Sequence, residues 1–151
     1  MKARWLGLIS CMLMVSVSQA FGPGHGSARA NNKSGIVFEQ SLTLQAAVAR
    51  ARQTGQAVFV DFQASWCGPC RQLKKTTFQD AAVAQFFNQQ FVNLAVDVET
   101  GEGPVLAEQF EIKALPTLII LNSRGEVVGR TVGFQSADQL LAFARKALHR
   151  L

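Results

Sequence analysis

The chain has 151 residues and a formal net charge of +5, a size that suits one domain built around a single core. Its basic residues are spread along the chain instead of forming a cluster, so the charge pattern gives no support to nucleic-acid binding. A four-ligand zinc site would have to draw on three cysteines and two histidines, but Cys11 lies in a segment expected to be removed, His25 in a glycine-rich tail and His149 at the far end of the chain, so we expect neither a bound metal nor a cofactor.

Residues 1–20 have the pattern of a signal peptide. Lys2 and Arg4 form a charged front, residues 6–17 are mainly apolar, and the small residues Ser18 and Ala20 match a signal-peptidase site. We expect cleavage after Ala20, which would place the mature protein in the periplasm or an equivalent exported compartment. Such compartments permit disulfide bonds.

Cys11 allows an alternative for this segment, in which it is the lipidated cysteine of a lipoprotein box and the protein is attached to a membrane surface. Residues 21–35 include the glycine-rich run 22–26 and are predicted to be a flexible leader. Residues 36–151 are predicted to form the folded domain.

Helical and strand-like patterns alternate through this domain. In chain order they predict a helix over 41–54, a strand over 57–62, a helix that starts at the cysteine pair, a helix over 80–88, a strand over 91–98, a helix from 104 or 105 to 110, a strand over 118–121, a turn at 122–125, a strand over 126–132 and a final helix capped by Ser136. The order predicts an α/β fold with a central mixed β-sheet flanked by helices on both faces.

The motif Trp66-Cys67-Gly68-Pro69-Cys70 lies where the first strand gives way to a helix. Cys67 is therefore expected at a helix N-terminus, which stabilises a thiolate, the nucleophilic form of cysteine. Cys70 follows one turn later on the same face and is able to close a disulfide with it. Pro69 suits the first helical turn, and Gly68 lets another chain approach closely.

Thiol–disulfide exchange needs one thiol that attacks and a second that resolves the mixed disulfide. We assign attack to Cys67, which is expected to be exposed, and resolution to Cys70, which is expected to be sheltered. Two simpler interpretations of the pair are half of a zinc site and an inert structural disulfide.

Asp61 lies six residues before Cys67 on a strand that is expected to be buried. A carboxyl group buried without a cationic neighbour has a raised pKa and is suited to move a proton to or from Cys70. The alternative is an ordinary carboxylate in water at the end of the strand.

Val60-Asp61-Phe62 followed by the cysteine motif, and then Leu115-Pro116-Thr117, resemble the thioredoxin family over residues 36–148. Thr77-Phe78-Gln79-Asp80 and the loop 99–104 are most similar to the C-terminal periplasmic domain of the transmembrane thiol:disulfide interchange proteins. The resemblance implies the thioredoxin fold and redox activity at the cysteine pair.

The resemblance also implies a cis peptide bond before Pro116, opposite the cysteines, where the backbone of Leu115 pairs with an extended client. Trp66, Gly68 and Pro69 would then line the client surface, with Trp66 as an apolar platform beside Cys67. The alternative for Trp66 is ordinary partial burial. Two positions depart from cytoplasmic thioredoxins: Gln63 replaces a tryptophan, and Ala95 stands on the adjacent strand where the family has a lysine near the buried aspartate.

These features favour an exported protein-disulfide reductase, a monomer that reduces disulfide-containing client proteins or relays electrons. A membrane thiol transporter is the expected electron donor, because an oxidising compartment does not keep thiols reduced. The alternatives are a disulfide oxidant or isomerase, and a binding or assembly module in which redox activity is incidental.

Overall fold

The computed structural model describes residues 35–151. The predicted signal peptide, the alternative at Cys11 and all but the last residue of the predicted leader lie outside the described residues. Among residues 35–151, no helix combines the length and the apolar character that crossing a membrane requires.

The described elements follow the predicted order, with one additional 3-10 turn. They are α1 (Leu44–Thr54), β1 (Ala57–Gln63), α2 (Gly68–Lys75), the 3-10 turn (Thr77–Gln79), α3 (Ala81–Gln90), β2 (Phe91–Asp97), α4 (Gly103–Gln109), β3 (Thr117–Leu121), β4 (Val127–Val132) and α5 (Ala137–Leu148).

The four described strands form one sheet in the order β2-β1-β3-β4. β1 pairs in parallel with β2 and antiparallel with β3, and β3 pairs antiparallel with β4 across the turn at residues 122–125. The predicted mixed sheet is therefore confirmed. β1 lies inside the sheet, which explains why nearly all of its side chains are buried.

Helices cover both faces of the sheet, as predicted. On one face, Leu73 of α2, Phe87 of α3 and Leu140 of α5 pack with Phe59 of β1 in one apolar cluster. On the other face, side chains of α1 and α4 join the alternate residues of β1, among them Val60, in a second cluster. Because successive strand residues point to opposite faces, β1 supplies both clusters and is held firmly just before the cysteine pair.

Side-chain caps determine where several helices begin. The Thr43 side chain accepts a hydrogen bond from the Ala46 backbone N–H, so α1 begins at Leu44. The sequence pattern predicted an earlier start, at residue 41. Asp80 caps α3 and Ser136 caps α5, both as predicted, and Gln139 completes a capping box with Ser136.

Candidate active site

The cysteine pair lies at the start of α2, directly after β1. Cys67 is the N-cap residue of α2, and its Sγ accepts a hydrogen bond of 3.2 Å from the backbone N–H of Cys70. The two cysteines form a disulfide with a Cα–Cα distance of 5.3 Å, so the structure describes the oxidised protein. The predicted position of Cys67 at a helix N-terminus is confirmed. A thiolate formed there on reduction would keep this backbone donor.

Exposure does not distinguish the two cysteines, contrary to the prediction that Cys67 is exposed and Cys70 sheltered. Cys67 is 3% exposed and Cys70 is 2% exposed. The physical reason is packing from distant segments: Val98, beyond β2, and Leu115, before β3, both pack against the pair together with Ala64. The assignment of Cys67 as the attacking thiol therefore depends on its place at the helix terminus.

Three predicted client-binding residues surround the pair on the surface. Trp66 is 64% exposed, and Gly68 and Pro69 are also exposed. The indole Nε1 of Trp66 donates a hydrogen bond of 2.9 Å to the Glu99 carboxylate, which fixes one edge of the ring. A broad aromatic face held beside the disulfide is a suitable contact for an apolar client side chain.

The loop before β3 lies against the cysteines, as predicted. The Leu115–Pro116 peptide bond is cis, and the half-buried Leu115 side chain packs against the cysteine pair. The Pro116 carbonyl accepts a hydrogen bond of 2.8 Å from Gly133, which ties this loop to the end of β4. The neighbouring Ala114 is exposed, so the start of this loop is open to solvent.

Asp61 lies in the middle of β1 and is 1% exposed. Burial raises the pKa of its carboxyl group to about 7, and the Lys74 ammonium partly opposes this rise. Its Oδ1 has no hydrogen-bond partner among residues 35–151. The predicted burial and raised pKa are confirmed, and a carboxyl group that titrates near neutrality is suited to proton transfer.

The strand register confirms that Ala95 is the β2 neighbour of Asp61. The neighbouring strand therefore supplies no cation. A cation nevertheless comes from another element, because Lys74 on α2 exerts an electrostatic effect on Asp61. The local sequence pattern places Lys74 on α2 without connecting it to Asp61. The available signal was its spacing: Lys74 follows Cys70 by four residues and Cys67 by seven, so it continues the same side of the helix.

Asp61 and Lys74 both line a cavity of about 570 Å³. The side chain of Gln63 also lines it, and its Oε1 is buried without a partner among the described residues. The loop 97–103 closes one side, and a Cβ at Gly103 would lie 1.7 Å from the Asp97 carbonyl oxygen, so this loop conformation requires glycine there. The cavity is large enough to hold water molecules beside the almost inaccessible Asp61 side chain.

Within residues 35–151, the structure contains no group of three or more histidine, cysteine, aspartate or glutamate side chains placed to hold a metal ion.

Comparison with known proteins places these features in context. A family model described as a thioredoxin-like domain matches residues 44–148. Thioredoxin H2 of Arabidopsis thaliana is 32% identical over 123 residues, which cover 78% of this chain and 86% of that protein. A thioredoxin from Thermus thermophilus has a similar structure, with a TM-score of 0.66 and 27% identity over 76% of this chain and 88% of that one.

The chain is also similar to part of a larger protein. The thiol:disulfide interchange protein DsbD of Ralstonia nicotianae is 31% identical over 119 residues, which cover 76% of this chain and 20% of that protein. The chain therefore spans about a fifth of the length of this relative.

Proposed function

The chain belongs to the thioredoxin-like family, and from that premise we propose that it is an exported protein-disulfide reductase that acts on client proteins through Cys67 and Cys70. The observation that carries the proposal is the disulfide at the N-terminus of α2, which lies beside the exposed Trp66 and the Leu115–Pro116 loop. A nucleophile, its resolving partner and a surface for an extended client are thus adjacent.

The reduced protein acts in two exchange steps. The Cys67 thiolate attacks one sulfur of a client disulfide, a mixed disulfide forms, and the other client sulfur leaves as a thiolate. Cys70 then gives up its proton and attacks the Cys67 sulfur, which releases the second client sulfur and closes the Cys67–Cys70 disulfide. Two electrons have passed from the protein to the client. Asp61 is the proposed acceptor of the Cys70 proton.

The residues between the cysteines support the reducing direction. The reduction potential rises when the thiolate of the reduced form is strongly stabilised. Pro69 contributes no N–H, and neither Gly68 nor Pro69 carries a cationic side chain, so stabilisation of the Cys67 thiolate depends mainly on the helix terminus. We expect a potential nearer to the roughly −270 mV of thioredoxin than to the roughly −120 mV of a strong oxidant.

The place of action and the electron donor form part of the same proposal. The pattern of residues 1–20 supports export, and a reductant in an oxidising compartment needs a dedicated source of electrons. The similarity to one segment of a thiol:disulfide interchange protein supports a membrane thiol transporter as that donor. Mass spectrometry of the exported protein should find Phe21 at its N-terminus, and a lipid on Cys11 would contradict this.

Insulin reduction tests the activity, with Cys67→Ser as the inactive control. A binding module with incidental redox chemistry would retain its client binding in Cys67→Ser and show no turnover in either form. Equilibration with glutathione or dithiothreitol buffers measures the potential. A value above about −180 mV, the level of an isomerase, would overturn the reductase direction.

A further inference from the structure

The buried carboxyl group of Asp61 needs a favourable electrostatic partner if it is to act as a base. Its ionised form has lost nearly all contact with bulk water, which is costly for a charge. The strands beside it provide no charge, since its neighbours are Ala95 on β2 and Leu118 on β3. Its partner must therefore come from outside the sheet.

α2 provides a cation that acts electrostatically on this carboxyl group. Lys74 is exposed, makes no ion pair with the described residues, and lines the same cavity as Asp61. Among the described residues that line this cavity, Lys74 is the single cation. A lysine stem can pack along the cavity wall while its ammonium group stays hydrated.

The other charged groups around the cavity are carboxylates, and all three have partners. Glu39, before α1, forms an ion pair with Arg50 at 2.6 Å. At the far end of β2, the Asp97 carboxylate accepts a hydrogen bond from the backbone N–H of Glu99. Before α4, the Glu102 carboxylate accepts one from the backbone N–H of Leu44. Carboxylates disfavour ionisation of Asp61, so Lys74 alone acts in the opposite direction.

We propose that Lys74 is the positioning residue for the proton chemistry of Asp61, and that its ammonium group acts across the shared cavity in place of a cation on the neighbouring strand at Ala95. It stabilises the Asp61 carboxylate, which takes the proton of Cys70 as Cys70 attacks the mixed disulfide. The protonated carboxyl group then releases this proton to water in the cavity.

The proposal gives Lys74 no direct role on the client or the sulfurs, so its effect passes through Asp61. The expected effect of Lys74 on turnover rests on the proposed reductase function. The electrostatic coupling of Lys74 to Asp61 is independent of that function. The test therefore measures this coupling directly.

The experiment is a pH titration of the Asp61 side-chain carboxyl carbon by ¹³C NMR in the oxidised protein. The oxidised form contains no titrating thiol in the cysteine pair, and Asp61→Asn identifies the resonance. Lys74→Met removes the ammonium group and keeps most of the stem, and Lys75→Met is the matched control, because Lys75 is exposed on the same helix and does not line the cavity.

We expect Lys74→Met to raise the titration midpoint of Asp61 by about 0.5 to 1 pH unit, because an ionised neighbour has been removed. Lys75→Met should leave the midpoint within about 0.2 unit of the original. Lys74→Arg should preserve the midpoint, and adding Ala95→Lys to Lys74→Met should lower it again.

Equal midpoints in Lys74→Met and Lys75→Met would overturn the proposal, as would a failure of Lys74→Arg to preserve the original value. Insulin reduction, measured on the same proteins, separates this result from the proposed function. A shifted midpoint without any reductase activity in the unmodified protein would leave the coupling of Lys74 to Asp61 intact and refute the reductase assignment.

Discussion

The cysteine pair and Asp61 are six residues apart in the chain, yet they depend on different parts of the molecule. The main contacts of Cys67 with polar groups are local: its Sγ accepts from the backbone of Cys70, and its backbone N–H donates to Ala64. The environment of Asp61 is assembled from β2, β3, α2 and the loops around the cavity.

This difference separates two kinds of chemistry. Cys67, the proposed nucleophile, lies at a helix terminus, which any chain acquires where a helix begins. Asp61, the proposed base, depends on burial, which requires the whole sheet and its covering helices to be in place. Changes at the cysteines should therefore act mainly on reactivity, whereas changes at Asp61 should alter reactivity and also the pH dependence of stability.

The largest effect is expected at the cysteine pair. Cys67→Ser should abolish insulin reduction, since no other residue of the site supplies the attacking sulfur. Cys70→Ser should keep the attack and lose the resolution, so mixed disulfides with clients should accumulate. Non-reducing gels with mass spectrometry would detect these complexes, and equal trapping by Cys67→Ser would show that the assignment of roles is wrong.

Asp61→Asn should slow turnover by about 100-fold at neutral pH and below, because the amide has the same volume but cannot carry a proton. The effect should shrink at higher pH, where Cys70 loses its proton more readily to solvent. The pH dependence of insulin reduction measures this. An unchanged pH–rate profile would show that Asp61 has only a structural role. The cysteine pair and the surroundings of Asp61 would then not supply two kinds of chemistry.

The stability of the oxidised protein should depend on pH through Asp61. Its pKa is about 7 when folded, against 3.8 in the unfolded chain, so between these values the folded protein holds a proton that the unfolded chain has released. Rising pH therefore favours unfolding, by at most about 4 kcal/mol across this window.

Asp61→Asn should remove this part of the pH dependence. Guanidinium denaturation of the oxidised protein and of the variant at pH 4 and at pH 8 would measure it. Parallel pH dependences in the two proteins would show that Asp61 is not the group responsible.

The smallest effect is expected at the surface beside the cysteines. Glu99→Gln weakens the hydrogen bond from the Trp66 indole, which is largely exposed, so its loss should cost about 1 kcal/mol or less. We expect a rise in the KM for insulin of at most about fivefold, with kcat nearly unchanged. Trp66→Ala should raise KM more, and a larger effect of Glu99→Gln would mean that this carboxylate has a role of its own.

Much of the fold could be predicted from local patterns. The caps at Asp80 and Ser136, the turn at 122–125 and the apolar strands each depend on a few adjacent residues, and all were predicted close to their observed positions. The place of Cys67 at the start of α2 follows from the same kind of local rule. The cis bond at Pro116 was expected only through resemblance to the thioredoxin family.

The sequence by itself determined the order of helices and strands and the position of Cys67 at a helix terminus, because these depend on residues within about one helical turn of each other. Only the tertiary structure decided that both cysteines are buried, since Val98 and Leu115 reach them from distant segments. It also decided that Lys74 lines the same cavity as Asp61. Burial and counter-charges are set by residues far apart in the chain, and no local pattern specifies them.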